Sequence, residues 1–177
     1  MTKPTDASVY RDLALARPVP LICVVGNSGV GKSTIVSGTN LREERSHTTR
    51  PIRDGETNGV EYNFVTKEEF LKMKSDGLLA EEATVYGNYY GTTWEELAMS
   101  DICIIDPQGV AELKRLKVSI YTILLVGPAR TVNRTGHVEP ELDPSNFNLT
   151  INTTGMTVQQ EVDLVEAIHK CISVPLD

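Results

Sequence analysis

Short apolar runs alternate with amphipathic stretches along most of this chain. The runs are rich in β-branched residues and have the length of strands that are buried on both faces of a sheet. They lie at residues 21–25, 101–106, 119–126 and 147–151. Residues 110–116 and 158–172 repeat apolar side chains at helical spacing. Strands that alternate with helices predict an α/β fold, with a parallel sheet flanked by helices.

The stretch from 46 to 93 follows a different pattern. Residues 59–65 and 83–92 alternate like short antiparallel strands, and a helix is expected near 67–74. We therefore predict an inserted, small mixed α/β subdomain. The expected organisation is an N-terminal extension at 1–19, a core domain at 20–45 and 94–177, and the insertion at 46–93.

A glycine-rich loop directly follows the first predicted strand. It reads GNSGVGKST and satisfies the phosphate-binding pattern GxxxxGK[ST]. Its members are Gly26, Asn27, Ser28, Gly29, Val30, Gly31, Lys32, Ser33 and Thr34. The glycines let successive backbone N–H groups form a concave anion site, Lys32 adds a mobile positive charge, and the Ser33 hydroxyl can ligate Mg²⁺. The loop predicts binding of the β- and γ-phosphates of ATP with Mg²⁺.

Further motifs suggest what receives the phosphate. The sequences SHTTRPIR, GVEYNFV, GNYYGT and IIDPQG follow the loop in that order. Together with the loop, they resemble the guanylate kinase family over about residues 20 to 126. The resemblance implies a P-loop nucleoside monophosphate kinase that uses ATP and Mg²⁺ to phosphorylate GMP or dGMP.

Arginines and hydroxyls in the insertion suit an acceptor phosphate. Arg50 and Arg53 stand on either side of Pro51, which favours an extended backbone, so two guanidinium forks can converge on one phosphate. Tyr62 and Tyr90 can each offer a hydroxyl to the same group. The resemblance places these four residues, together with Ser46 and Thr92, at the acceptor nucleotide.

The same resemblance assigns two carboxylates to the base. Glu81 lies six positions before Gly87, as the family pattern requires, and Glu82 is the alternative one position later. An ionised carboxylate accepts hydrogen bonds from guanine N1–H and N2–H₂, whereas adenine presents a lone pair at N1. Asp106 matches a second acidic residue beside the base and is also a candidate for organising Mg²⁺.

The chain departs from the family in the segment after the predicted strand at 119–126. The arginine-rich helical lid of the family is reduced here to a segment at about 128–146. Arg134, and after it Arg130, are the local candidates for stabilising the transferring phosphoryl group, alongside Lys32 and Arg50. The resemblance also places Asn152 against the adenine of ATP.

Composition narrows the partners and the location. The net charge of −7 argues against a nucleic-acid or anionic membrane surface. No apolar run approaches the roughly 20 residues that span a bilayer, and the three cysteines are far apart in the sequence, as expected of reduced thiols. We expect a cytoplasmic protein whose partners are ATP and GMP or dGMP, with a homodimer left open.

Two alternative functions remain at this stage. One is a kinase for another nucleoside monophosphate, or for another small phosphorylated acceptor. The other is a guanylate-kinase-like module that binds without catalysis. Such modules typically lose the phosphate-binding loop, which is intact here.

Overall fold

The computed structural model describes residues 6–129 and 141–174. Its strands are β1 (Leu21–Gly26), β2 (His47–Thr48), β3 (Asn63–Phe64), β4 (Leu79–Val85), β5 (Asn88–Thr93), β6 (Ile102–Ile104), β7 (Ile120–Val126) and β8 (Leu149–Asn152). Its helices are α1 (Ala7–Leu15), α2 (Lys32–Gly38), α3 (Lys67–Ser75), α4 (Trp94–Met99), α5 (Pro107–Arg115) and α6 (Val158–Ile172).

The chain divides into two compact units. The P-loop unit comprises Pro18–Glu43 and Asp101–Asp177, and the insertion unit comprises Met1–Arg17 and Glu44–Ser100. The N-terminal segment thus groups with the insertion.

A parallel sheet of order β6-β1-β7-β8 forms the centre of the P-loop unit. The side chains of β1 from Leu21 to Val25 are almost wholly buried, as the continuous apolar run predicts for a strand covered on both faces. α2 and α6 pack on this sheet and contribute Ile35, Val36, Val162 and Val165 to its core. The predicted parallel α/β architecture is confirmed.

The insertion unit contains a second sheet, of order β3-β2-β5-β4. β4 and β5 form an antiparallel hairpin, and β2 pairs antiparallel with β5. β3 is parallel to β2, so the expectation of an antiparallel strand at 59–65 is wrong, and only Asn63 and Phe64 of that stretch are strand. The sheet therefore combines parallel and antiparallel pairing, whereas only antiparallel strands were predicted.

Two helices of the insertion unit have no counterpart in the sequence prediction. α1 lies in the segment expected to be a loose extension, and it packs against α4. The Arg17 guanidinium fastens the end of this segment by donating to the backbone carbonyls of Leu97 and Ser100. Within the described residues, no helix has the length and apolar character needed to cross a membrane.

We predict that Leu124→Ala lowers the free energy of unfolding by about 2–5 kcal/mol, because it empties part of a well-packed core. Leu124 lies in β7 and is 0% exposed. Leu164→Ala, on the outer side of α6, is the matched control, since Leu164 is 37% exposed, and its cost should stay below about 1 kcal/mol. Urea unfolding followed by circular dichroism measures both, and equal costs would contradict the assigned core.

Candidate functional site

The phosphate-binding loop joins β1 to α2. Gly29 and Gly31 have φ angles of 79° and 108°, a region that side-chain-bearing residues rarely adopt. At Gly26, a Cβ atom would lie 2.7 Å from the Leu125 carbonyl oxygen. Glycine is therefore required both by the turn and by the close approach of the neighbouring strand.

Lys32 folds back over this loop. Its Nζ donates to the carbonyl oxygens of Gly26 and Asn27 at 2.6 and 2.9 Å. The ammonium group is therefore held beside the concave side of the loop, where an anion would be bound. Ser33 and Thr34 lie in the first turn of α2, whose N-cap residue Gly31 supplies no side-chain acceptor to the helix N–H groups.

Two other predicted residues lie in the P-loop unit. Asp106 follows β6 and caps α5, with Oδ1 accepting from the Gly109 N–H at 2.7 Å. Asn152 is the last residue of β8, and its Oδ1 accepts from the Thr154 N–H at 3.0 Å. Because β1, β6 and β8 are parallel, both residues and the glycine-rich loop lie at the same edge of the sheet, where α/β proteins commonly bind ligands.

Strand register places four of the predicted acceptor residues on one face of the second sheet: Ser46, Glu81, Tyr90 and Thr92. Thr48 pairs with Tyr90, and Thr92 pairs with Glu81. Since paired residues share a face and alternate positions along a strand return to it, the sheet has one face of mainly polar side chains. We call this the acceptor face; it consists of Ser46, Thr48, Glu81, Tyr90 and Thr92.

Arg50 lies just beyond β2 and is fixed from several sides. Its two Nη atoms donate to both carboxylate oxygens of Glu56 at 2.8 and 3.0 Å, while the rings of Tyr62 and Phe64 lie 5.5 and 5.4 Å away. This bidentate contact raises the pKa of Arg50 and lowers that of Glu56. The guanidinium is therefore a permanent charge in a set orientation.

Glu56 also organises the second arginine. Its Oε2 accepts from the Arg53 backbone N–H at 2.8 Å, and the Arg53 side chain is exposed. Tyr62 packs edge-on against Tyr90, with ring centroids 5.9 Å apart, and burial raises the pKa of the Tyr62 hydroxyl. The structure thus brings Arg50, Tyr62 and Tyr90 together. Sequence reasoning missed Glu56, although its position in RDGE between the arginines and GVEYNFV was a usable signal.

The two adjacent glutamates of β4 face opposite sides. Glu82 forms an ion pair with Lys74 of α3, on the side where Tyr89 stacks on Phe70 at 5.4 Å. Glu81 lies on the acceptor face, directly opposite Thr92. Between the two alternatives of the sequence analysis, this alternation favours Glu81.

Sequence reasoning missed a carboxylate that lies beside Ser46 and Thr92 of the acceptor face. The Ser46 hydroxyl lies 3.0 and 3.2 Å from the two carboxyl oxygens of Glu44 and 3.1 Å from the Thr92 hydroxyl. Burial raises the pKa of Glu44 to about 7; hydrogen bonds from Ser46 and Thr92 oppose this, and the charges of Glu96 and Glu81 add to it. Only the folded arrangement brings these groups together, so no local sequence signal marks Glu44. Arg130 and Arg134 lie outside the described residues.

Comparison with known proteins identifies the family. The guanylate kinase family pattern matches residues 18–137, more than half of the 177 residues. The chain belongs to the guanylate kinase family. This confirms the resemblance found in the motifs, and it extends the match beyond residue 126 into the segment that includes Arg130 and Arg134.

Curated guanylate kinases are similar to the chain over much of its length. The Pseudomonas fluorescens enzyme is 38% identical over 120 residues, which cover 62% of this chain and 58% of that protein. The Neisseria gonorrhoeae enzyme is 42% identical over 113 residues, covering 58% of this chain and 55% of that protein. The Schizosaccharomyces pombe enzyme is 37% identical over 141 residues, covering 73% and 69%. The chain therefore spans little more than half the length of the two bacterial relatives.

A solved structure supports the fold. The guanylate kinase of Anaplasma phagocytophilum superposes with a TM-score of 0.61 and 24% identity, over 89% of this chain and 88% of that chain. At this identity the likeness concerns the fold alone.

We predict that the stability of the protein depends on pH through Glu44. Its pKa is raised from 4.5 to about 7, so the folded state holds this proton more tightly than the unfolded state, and stability falls as pH rises between those values. Full ionisation costs about 3 kcal/mol. Glu44→Gln has no such proton, so its melting temperature should rise relative to wild type between pH 5 and 7.5. Glu68→Gln, at an exposed position of α3, is the control; a constant difference between Glu44→Gln and wild type would contradict the raised pKa.

Proposed function

We propose that this protein transfers the γ-phosphoryl group of ATP to GMP or dGMP. Support comes above all from the acceptor face, which carries Glu81 and Tyr90 in register, and from Arg50 and Tyr62 beside it. Family membership and the intact glycine-rich loop supply the donor half of the proposal. The cytoplasm, where ATP and nucleoside monophosphates are present, is the proposed location.

The donor site is assigned to the glycine-rich loop. The backbone N–H groups from Gly26 to Thr34 would surround the β- and γ-phosphates, and Lys32 would exchange its two carbonyl contacts for phosphate oxygens. Asn152 is proposed to lie near the adenine. Mg²⁺, for which Ser33 and Asp106 are the candidate protein ligands, would supply charge neutralisation on the phosphates.

The acceptor phosphate is assigned to Arg50, Arg53, Tyr62 and Tyr90. The Glu56 carboxylate leaves Arg50 few orientations, so little side-chain entropy remains to be lost when a phosphate binds. The exposed Arg53 can approach from the other side. Two guanidinium charges and two hydroxyls would hold the acceptor oxygen in place, and positioning is the main demand of phosphoryl transfer.

The base is assigned to Glu81, with Ser46 and Thr92 beside it. A hydrogen bond to a charged group contributes about 1.5–3 kcal/mol net. Guanine can give two of these to Glu81, whereas adenine would set its N1 lone pair against the carboxylate. Arg134 and Arg130 are proposed to stabilise the transferring group, as arginines do in other phosphotransferases.

A panel of nucleoside and deoxynucleoside monophosphates with ATP and Mg²⁺ tests this function, with ADP release as the readout. We expect GMP and dGMP to be the preferred acceptors. Lys32→Ala should remove turnover while leaving the circular dichroism spectrum unchanged, because the charge on the donor phosphates loses its counterpart. Preference for another acceptor, or ATP·Mg²⁺ binding without turnover, would overturn the proposal.

Glu81→Gln should reduce the preference for GMP over AMP by at least tenfold in kcat/KM, because the amide offers one acceptor oxygen in place of two charged ones. Glu82→Gln is the matched control: it neutralises the adjacent residue on the opposite face, and the ratio should stay near that of the wild type. If Glu82→Gln changes the ratio and Glu81→Gln does not, the base is read one position later than assigned.

A further inference from the structure

Glu44, Ser46 and Thr92 form a continuous chain of hydrogen-bonding groups. The Ser46 hydroxyl lies 3.0 Å from a Glu44 carboxyl oxygen and 3.1 Å from the Thr92 hydroxyl, and the Thr92 hydroxyl also interacts with the Glu44 carboxyl. Thr92 is only 6% exposed, so few alternative partners compete for its hydrogen. The direction of each hydrogen bond in such a chain depends on whether its end member can donate.

Other ionisable groups surround the Glu44 carboxyl. Glu96 on α4 and Glu81 on β4 both disfavour its ionisation, and Tyr62 lies near enough for the Glu44 charge to affect its pKa. Glu96 has hydrogen-bond donors of its own: its Oε2 accepts from the Arg45 backbone N–H at 3.1 Å and from the Ser100 hydroxyl at 3.4 Å. Burial and the charges of its neighbours favour the neutral form of Glu44.

The proton on Glu44 sets the direction in which the Ser46 and Thr92 hydroxyls donate their hydrogen bonds. An ionised Glu44 donates nothing, so the Ser46 and Thr92 hydrogens both turn inward, and the two hydroxyls present only lone pairs to a ligand. A neutral Glu44 can donate to Ser46, Ser46 can then donate to Thr92, and the Thr92 hydrogen is released toward the ligand. The 6-oxo group of guanine accepts hydrogen bonds only, whereas the 6-amino group of adenine donates them.

We propose that Glu44 is a positioning residue that, in its neutral form, turns the Ser46–Thr92 hydroxyl pair into a hydrogen-bond donor for the 6-oxo group of a purine nucleotide. The inference rests on the proposed function, because it takes the base to lie between Glu81 and this hydroxyl pair. Glu81 would read the N1 and N2 edge, and Glu44 would act through two hydroxyls on the neighbouring position. Base selectivity would then depend on the protonation of a residue that does not itself touch the nucleotide.

The proposal predicts a pH-dependent affinity for GMP. As pH rises from 6 to 8.5, ionisation of Glu44 removes the donor, and the dissociation constant for GMP should increase about tenfold relative to Glu44→Gln. The glutamine amide donates to Ser46 at every pH, so the Ser46–Thr92 hydroxyl pair remains a donor. We call this transmission of hydrogen-bond direction from residue 44 through Ser46 to Thr92 the relay. GMP itself titrates in this pH range, and its titration affects both proteins equally. It therefore cancels in the ratio of the wild-type to the variant dissociation constant.

Titration calorimetry without ATP measures these constants and also the proton uptake. At pH 7.5 in buffers of different ionisation enthalpy, wild type should take up a fraction of a proton on binding GMP, and Glu44→Gln should take up less. The ligand control is the 5′-monophosphate of 2-aminopurine riboside, which lacks the 6-oxo group. It also lacks the N1 hydrogen and should bind more weakly, so only its ratio of wild-type to variant dissociation constants is compared. If Glu44 acted only through its charge on the phosphate, pH would change the affinity for the 2-aminopurine nucleotide as much as the affinity for GMP. If Glu44 acts through the hydroxyl pair, the ratio of wild-type to variant dissociation constants for the 2-aminopurine nucleotide stays constant with pH.

Further variants separate the explanations. Ser46→Ala keeps Glu44 but removes the hydroxyl that joins it to Thr92, so the GMP affinity of this variant should be lower and its pH dependence weaker than in wild type. This variant tests the proposal even if Glu44→Gln does not fold. Glu68→Gln is the control for removing a carboxylate from the same unit. If GMP binds and is turned over, but the ratio of wild-type to Glu44→Gln dissociation constants stays constant with pH, the role of Glu44 is overturned while the proposed function stands. The same conclusion follows if this ratio changes equally for GMP and for the 2-aminopurine nucleotide. Absence of GMP binding in wild type and Glu44→Gln at every pH would overturn the proposed function with it.

Discussion

The pairing of β2 with β5 is the constraint on which the insertion unit depends. It places Thr48 opposite Tyr90, and a slip of one residue would turn every side chain of β2 to the other face. Polar side chains hold the register: Thr48 Oγ1 donates to the Tyr89 carbonyl at 3.0 Å, and Thr49 Oγ1 accepts from the Tyr89 N–H at 2.9 Å. A strand of two residues forms few backbone hydrogen bonds. The side-chain hydrogen bonds of these two threonines therefore help to fix its register. The TT of SHTTRPIR is therefore a structural requirement of the acceptor face.

The elements that the sequence predicts well are those with enough residues to show a period. β1 and α6 are long and consistently patterned, so burial and helical spacing identify them without knowledge of their neighbours. β2 and β3 are two residues each, shorter than any detectable alternation, and their parallel pairing is a tertiary property. α1 is stabilised partly by Arg17 contacts to carbonyls about 80 positions away in the chain, which no local pattern can reveal.

The candidate site shows the same division between local and distant information. The glycine-rich loop is contiguous, so its chemistry can be predicted from nine letters. Glu81 is also predictable, because its spacing to Gly87 carries the signal and strand alternation separates it from Glu82. Glu44 is different: its environment comes from β4, β5 and α4 together, and its raised pKa follows from burial beside groups remote in sequence. A titratable residue can thus be ordinary in sequence and unusual only in the folded sheet.

The acceptor face is electrostatically polarised along β2, and this has a consequence for which ligands it suits. The carboxylates of Glu44, Glu81 and Glu96 cluster in space near the start of β2, and Arg50 lies just beyond its end. Arg50 lies four residues after Ser46, a distance of about 13 Å along an extended chain. A ligand lying along this face meets carboxylates at one end and a fixed guanidinium at the other, so it must combine a donor-rich neutral group with an anion. A purine nucleotide whose base carries N–H donors has that arrangement, whereas a sugar phosphate would leave the carboxylate end without matched donors. The net charge of −7 does not prevent anion binding, because binding depends on the local arrangement of charges, here the fixed Arg50 guanidinium and the exposed Arg53 side chain.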